Sequence, residues 1–192
     1  MGTTKTDRLH FTGDDEADRL LVDEPLALLI GFVLDQQVTL QKAFSGPPEL
    51  KRRLGGLDAR RIAEMEPEKL EEFFATRPAL HRFPRNMANR TREMCAVIAG
   101  DYDGDAGCVW SEAADGADLK RRLSALPGFG PMKVATLAAV LGKRLGVRPP
   151  GWEKVAPDHM SLGDVDSPEA LAGYQAEKKA RKAAARAAKA SA

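Results

Sequence analysis

The chain is predicted to be all-α: two helical lobes built around a pair of helices joined by a tight glycine turn. Three observations carry this. Apolar residues recur at helical spacing along most of the 192 residues, and no stretch alternates as a half-buried strand does. Pro/Gly and polar breaks divide the periodic stretches into separate segments. Leu126-Pro127-Gly128-Phe129-Gly130 separates two of these, Ala117–Ala125 and Pro131–Leu145, each with an apolar face.

The elements follow in order. Residues 14–22 read as a short helix behind the cap Thr12-Gly13-Asp14. Asp23 is expected to cap the next helix. Pro25 sits just inside its start, where a missing N–H costs nothing. This helix carries the apolar run Leu26–Leu34 on to Gln36, and a short helix spans Leu40 to about Phe44. Ser45-Gly46-Pro47-Pro48 reads as a break, and Glu49–Leu54 as a turn or more of helix ended by Gly55-Gly56. Asp58–Met65 and Pro67–Ala75 are two further short helices, and Arg77-Pro78 breaks the chain again. Asn86–Ile98 is a helix with Met87, Met94 and Val97 inward, and Asp101–Gly116 is a polar loop anchored by Trp110. Past the paired helices, Val147–Ser167 has no helical period; irregular segments of that length are often functional. Pro168 starts a last helix. The expected organisation is one helical domain over 1–175, with the helical pair at 117–145 and the Gly/Pro/Asp loop at 146–167. The Ala/Lys/Arg tail, 176–192, has high helix propensity but lacks an apolar stripe wide enough to pack; it is expected to be disordered or a frayed helix alone, and to order against a polyanion.

Composition narrows the function classes. Hydrophobic residues make up 43% of the chain, enough for a packed core. The longest apolar run, Leu26–Leu34, is far shorter than the ~20 residues of a membrane span. The charged N-terminus carries no apolar signal core, so a cytoplasmic protein is expected. Cys95 and Cys108 are too few for a disulfide framework or a four-cysteine iron–sulfur cluster, and read as free structural thiols. The net charge of +1 hides an asymmetry. Six of the 29 basic and one of the 28 acidic residues fall in 176–192, which leaves a body of charge −4. Nucleic-acid binding would therefore rest on local cradles and the tail, not on a uniformly basic surface.

The glycine turn supplies such a cradle. Pro127 stops the first helix, Gly128 and Gly130 admit backbone angles closed to other residues, and Pro131 opens the second helix. The turn directs unpaired N–H groups one way, and the second helix adds the positive end of its dipole. A backbone phosphate suits this site. An ordinary stop between packed helices is the alternative reading.

Three signals now stand in one order: the apolar helix ending in Leu34-Asp35-Gln36-Gln37-Val38-Thr39, the Leu126–Gly130 turn, and a Gly/Pro-rich loop holding an Asp. Together, over roughly residues 20–165, they resemble the helix-hairpin-helix Gly/Pro-Asp (HhH-GPD) superfamily of base-excision DNA glycosylases, the endonuclease III-like group. The resemblance implies double-stranded DNA as partner, gripped by N–H groups of Gly128, Gly130 and Met132. It implies a monovalent cation against the carbonyls of Ser124, Leu126 and Phe129. Gln37 falls where the family fills the gap left by an extruded base. The family's lyase lysine falls on Met132. Lys133, about 100° further round the helix, reads as a phosphate contact or a surface lysine, so a monofunctional glycosylase without lyase activity is expected. The catalytic carboxylate is expected in the loop, at Asp158 or else Asp164, both of which also read as turn formers. Trp152 is expected to line the pocket and Trp110 to pack. The protein is taken as a trimmed monomer without an iron–sulfur cluster. Two other readings stay open: a non-catalytic, structure-specific DNA binder that uses the hairpin and the tail, and an all-α interaction module.

Overall fold

The computed structural model describes residues 6–190 and consists of helices and turns, with no strand among them. Residues 1–5 and 191–192 of the expected boundaries, and the Lys189 side chain, lie outside what it describes. Helix α1 (Asp15–Asp23) is capped by Asp14, whose side chain accepts from the Ala17 N–H at 2.8 Å. On its inner face the buried Asp18 carboxylate accepts from the N–H groups of Phe11 and Thr12 at 3.0 and 3.1 Å, which ties the N-terminal segment down. Helix α2 (Pro25–Leu34) is the hub: every residue after Pro25 is buried, which explains an apolar run without a polar face. Gly31 lets it meet α3 (Leu40–Phe44) closely, since a Cβ there would lie 2.5 Å from the Phe44 ring. Then come α4 (Gly46–Leu54), α5 (Ala59–Glu64), α6 (Pro67–Ala75) and α7 (Pro84–Asp101). Helices α5 and α6 pack on α7, forming one lobe. The other holds α8 (Cys108–Ser111), α9 (Gly116–Ser124), α10 (Pro131–Arg144) and α11 (Pro168–Ala190). A single apolar core runs through both lobes.

Several sequence expectations need correction. Asp23 ends α1 and does not cap α2; the cap is Glu24, whose carboxylate pairs with Lys51 of α4. Helix α2 stops at Leu34, two residues early, because the chain bends away at residues 36–38. Gly46-Pro47-Pro48 is the first turn of α4, the part of a helix that needs no proline N–H. Helix α7 begins at Pro84 for the same reason. The 101–116 stretch contains α8, with Trp110 buried as expected. The 146–167 loop is ordered by two 3-10 turns, Trp152–Lys154 and Leu162–Asp164. Gly163 lies so close to α10 that a Cβ would be 2.5 Å from the Ala139 carbonyl oxygen. The tail is helical: residues 176–190 continue α11, which Leu171 and Tyr174 anchor to the core and whose Ala/Lys/Arg composition then propagates.

Candidate nucleic-acid interface

The site starts at the end of α2. The N–H of Asp35 still bonds back to Gly31 O at 3.0 Å, and the chain then turns. His81, buried, reaches the Gln36 carbonyl at 2.8 Å through Nε2. Its Nδ1 accepts from the Phe83 N–H at 3.0 Å, so the ring proton sits on Nε2, which donates to Gln36. Burial pushes the His81 pKa down against the opposing bond to the Gln36 carbonyl, and Arg82, Lys42 and Lys133 add to the downward shift, which favours the neutral ring. Arg90 of α7 donates to Gln36 Oε1 at 2.9 Å. Gln36 is thus fixed by both its backbone and its side chain. The next residue, Gln37, is exposed and has φ of 57°, a left-handed conformation costly to a non-glycine residue.

Arg90 also ties this turn to the hairpin. Gly128 has φ of +88°, and a Cβ there would lie 2.6 Å from Arg90 Cδ. Phe129 is buried, its ring 6.3 Å from that of Phe32 in α2, and its N–H closes the turn on Leu126 O at 3.1 Å. Gly130 is the N-cap of α10 with Pro131 in the first turn, as expected. The N–H groups of Gly128, Gly130 and Met132 make no hydrogen bond to the described residues, as an anion cradle requires.

Between these parts lies a cleft of about 520 Å³. Phe32, Asp35 and Gln37 line it from the end of α2; Met132, Lys133 and Thr136 line it from α10. His159 and Met160 close it from the loop, and Tyr174, Lys178, Arg181 and Lys182 wall it from α11. Arg181 is tethered to the loop through Met160 O at 3.3 Å. A larger hollow of about 860 Å³ lies over Gly55–Phe73 but contains no hairpin residue and mixes charges of both signs.

The sequence-predicted residues divide. Gln37, Met132 and Lys133 reach the cleft, and Met132 is 81% exposed. Lys133 is not a surface lysine: its amine turns inward, 3.4 Å from Val33 O. Burial pushes its pKa down, with Asp35 opposing and Arg90 adding to the shift. Trp152 does not line the cleft; it is buried against Gly142 of α10, with Arg148 over its ring at 5.9 Å. The Asp158 side chain is fully exposed and meets only its neighbour His159, at 3.2 Å. Asp164 is engaged elsewhere. It accepts from Lys143 Nζ at 2.6 Å and from Ser161 N and Oγ at 2.9 and 3.0 Å, in a reciprocal cap of its own 3-10 turn. Burial raises its pKa, but these donors outweigh burial and hold it below the ordinary carboxylate range. Lys143 lies 11 residues along α10 from Met132, which places that lock about 16 Å from the hairpin end.

Sequence reasoning missed Asp35, His81, Arg90 as a bridge, and Phe83, a 39% exposed aromatic with Arg82 at 4.9 Å over its ring. Asp35 could have been noticed as the acid at the head of the Gln36-Gln37 turn. Nothing in the sequence signals the reach of His81 to a residue 45 positions away. Two other arginines of α7 are engaged away from the cleft: Arg85 pairs with Glu71 at 2.8 Å, and Arg92 bonds Met65 O at 3.0 Å. Cys95 and Cys108 are free, and burial pushes the Cys95 thiol up to about 12. No helix among the described residues is long and apolar enough to cross a membrane. Residues 30–190 match the family model described as HhH-GPD superfamily base excision DNA repair protein. No curated protein matches the chain.

Proposed function

We propose, because this chain belongs to the HhH-GPD superfamily of base excision DNA repair proteins, that it is a monomeric, monofunctional DNA glycosylase. The observation that carries this is that the Gln37 turn and the first turn of α10 line one cleft. In that arrangement the free N–H groups of Gly128, Gly130 and Met132 grip a phosphate at the positive end of α10. Extruding a base costs a few kcal/mol in lost stacking and pairing. The Gln37 amide, with no partner of its own in the turn, compensates by occupying the gap and bonding the orphan base. Lys178, Arg181 and Lys182 meet neighbouring phosphates from the opposite wall. The carbonyls of Ser124, Leu126 and Phe129 are hard oxygen donors that suit a monovalent cation, which would add positive charge beside the gripped phosphate.

Met132 presents a thioether where a lyase would need an amine, which supports hydrolysis without strand cleavage. The test is incubation with duplexes carrying uracil, hypoxanthine, alkylated purines or oxidised guanine, followed by alkali. Abasic sites are expected from one lesion class, and no adduct is expected on borohydride trapping. An adduct that disappears in Lys133→Ala would make the inward-turned lysine a nucleophile and overturn the monofunctional assignment. One observation favours a second reading: neither loop aspartate enters the cleft. Tight duplex binding with no excision of any lesion would establish a structure-specific DNA binder.

A further inference from the structure

Hydrolysis of an N-glycosidic bond passes through positive charge on the sugar and needs a carboxylate close to it. On the glycosylase reading, the group must lie in the cleft. Among the described residues that line it, the one acid is Asp35. Its backbone is fixed by the Asp35 N–H to Gly31 O bond on the last turn of the buried α2, and by the doubly held Gln36 beside it. Its carboxylate is half-buried and accepts no hydrogen bond from the described residues, so its lone pairs are open to a ligand. The two loop carboxylates are unlike it: Asp158 stands in solvent, and Asp164 is occupied by Lys143 and Ser161. Four cations, Lys133, Lys178, Arg181 and Lys182, line the same cleft as Asp35. A lone carboxylate in so basic a hollow suits a substrate that is anionic at its phosphates and transiently cationic at one carbon.

We propose that Asp35 is the catalytic carboxylate of this cleft, acting at C1′ of an extruded nucleotide. The C1′–N bond breaks and its electron pair leaves on the base nitrogen. The Asp35 carboxylate faces the resulting charge on C1′ and O4′. A water oxygen then bonds to C1′; its released proton passes to Asp35 and from there to the departed base or to solvent. The products are a free base and an abasic sugar bearing a C1′ hydroxyl. Gln37, two residues on, holds the opened duplex, so one rigid turn carries both the residue that fills the gap and the residue that meets the sugar.

The test compares single-turnover excision of a lesion that the wild-type protein removes. Asp35→Asn is expected to lower the rate by about 100-fold or more, with duplex affinity within threefold. Asp158→Asn and Asp164→Asn keep the wild-type rate within threefold. Asp35→Ala, checked by its melting curve, should regain at least tenfold with added formate, which a merely structural role for Asp35 would not allow. Wild-type excision with an unimpaired Asp35→Asn, or an Asp35→Ala rate that formate leaves unmoved, overturns the assignment and spares the glycosylase reading. Absence of excision by the wild-type protein on every lesion overturns both.

Discussion

Gly128→Ala tests the coupling between the hairpin and the Gln36 turn. At φ of +88° an alanine bears left-handed strain of about 1–2 kcal/mol. Its Cβ would also lie 2.6 Å from Arg90 Cδ and 3.1 Å from Cγ, which forces Arg90 off its rotamer at about 0.5–1.5 kcal/mol. The total is about 1.5–3.5 kcal/mol. For a chain of this size, each kcal/mol moves the melting temperature by about 2–4 °C, so a fall of about 3–14 °C is expected in a thermal melt. Displacing Arg90 breaks its bond to Gln36 Oε1, and the altered turn misdirects the free N–H groups of the hairpin. Loss of one charge-assisted hydrogen bond of about 1.5–3 kcal/mol weakens duplex binding by about 10- to 100-fold. In an Arg90→Ala background the clash disappears and the strain remains. The two substitutions should then show a coupling of about 0.5–1.5 kcal/mol in a double-mutant cycle. A melting temperature within 1 °C of wild type, or strictly additive effects, would refute the close packing of Arg90 on the hairpin.

Three other outcomes are expected. Replacing Lys178, Arg181 and Lys182 together with alanine should reduce the slope of log affinity against log salt by about 2 to 3, because each neutralised phosphate contributes about 0.9; an unchanged slope would place DNA away from α11. The His81 pKa is lower folded than unfolded, so its contribution to stability is complete above the unfolded value of about 6.5 and is lost as pH falls through the folded one. Melting temperature should therefore drop on acidification below about pH 6.5, and His81→Gln should flatten that dependence. Gln37→Gly relieves left-handed strain of about 1 kcal/mol and should raise the melting temperature by about 2–4 °C while weakening binding to lesion-containing duplex; a stabilised variant that still binds as wild type would remove Gln37 from the interface.

The helices were legible because their signals are local. Pro131 after Gly130 opens α10, Asp14 caps α1, and the unbroken apolar run Leu26–Leu34 announces the buried hub. Boundaries failed where one residue type serves two ends: Pro47 and Pro48 break a helix or begin one, and Asp23 ends α1 as readily as it would cap α2. Gln37, Met132 and Lys133, singled out from motif, line the cleft. The placement of the aspartates and of Trp152 was not legible, because it depends on what lies opposite them. Asp164 meets Lys143, Trp152 fills the space over Gly142, and Asp158 meets solvent.

The sequence by itself determined the all-α class, the order of most of the helices, and the tight glycine turn at Leu126–Gly130, each of which rests on backbone preferences within a few residues. The tertiary structure decided which side chains share the cleft. It turned Lys133 inward, continued the basic tail as a helix along one wall, and set Asp35 in the same cleft, because the end of α2, the start of α10 and the closing loop meet there and bring together residues about 100 positions apart in the chain. Periodicity carries no record of such distant neighbours, and the chemistry of the site depends on them.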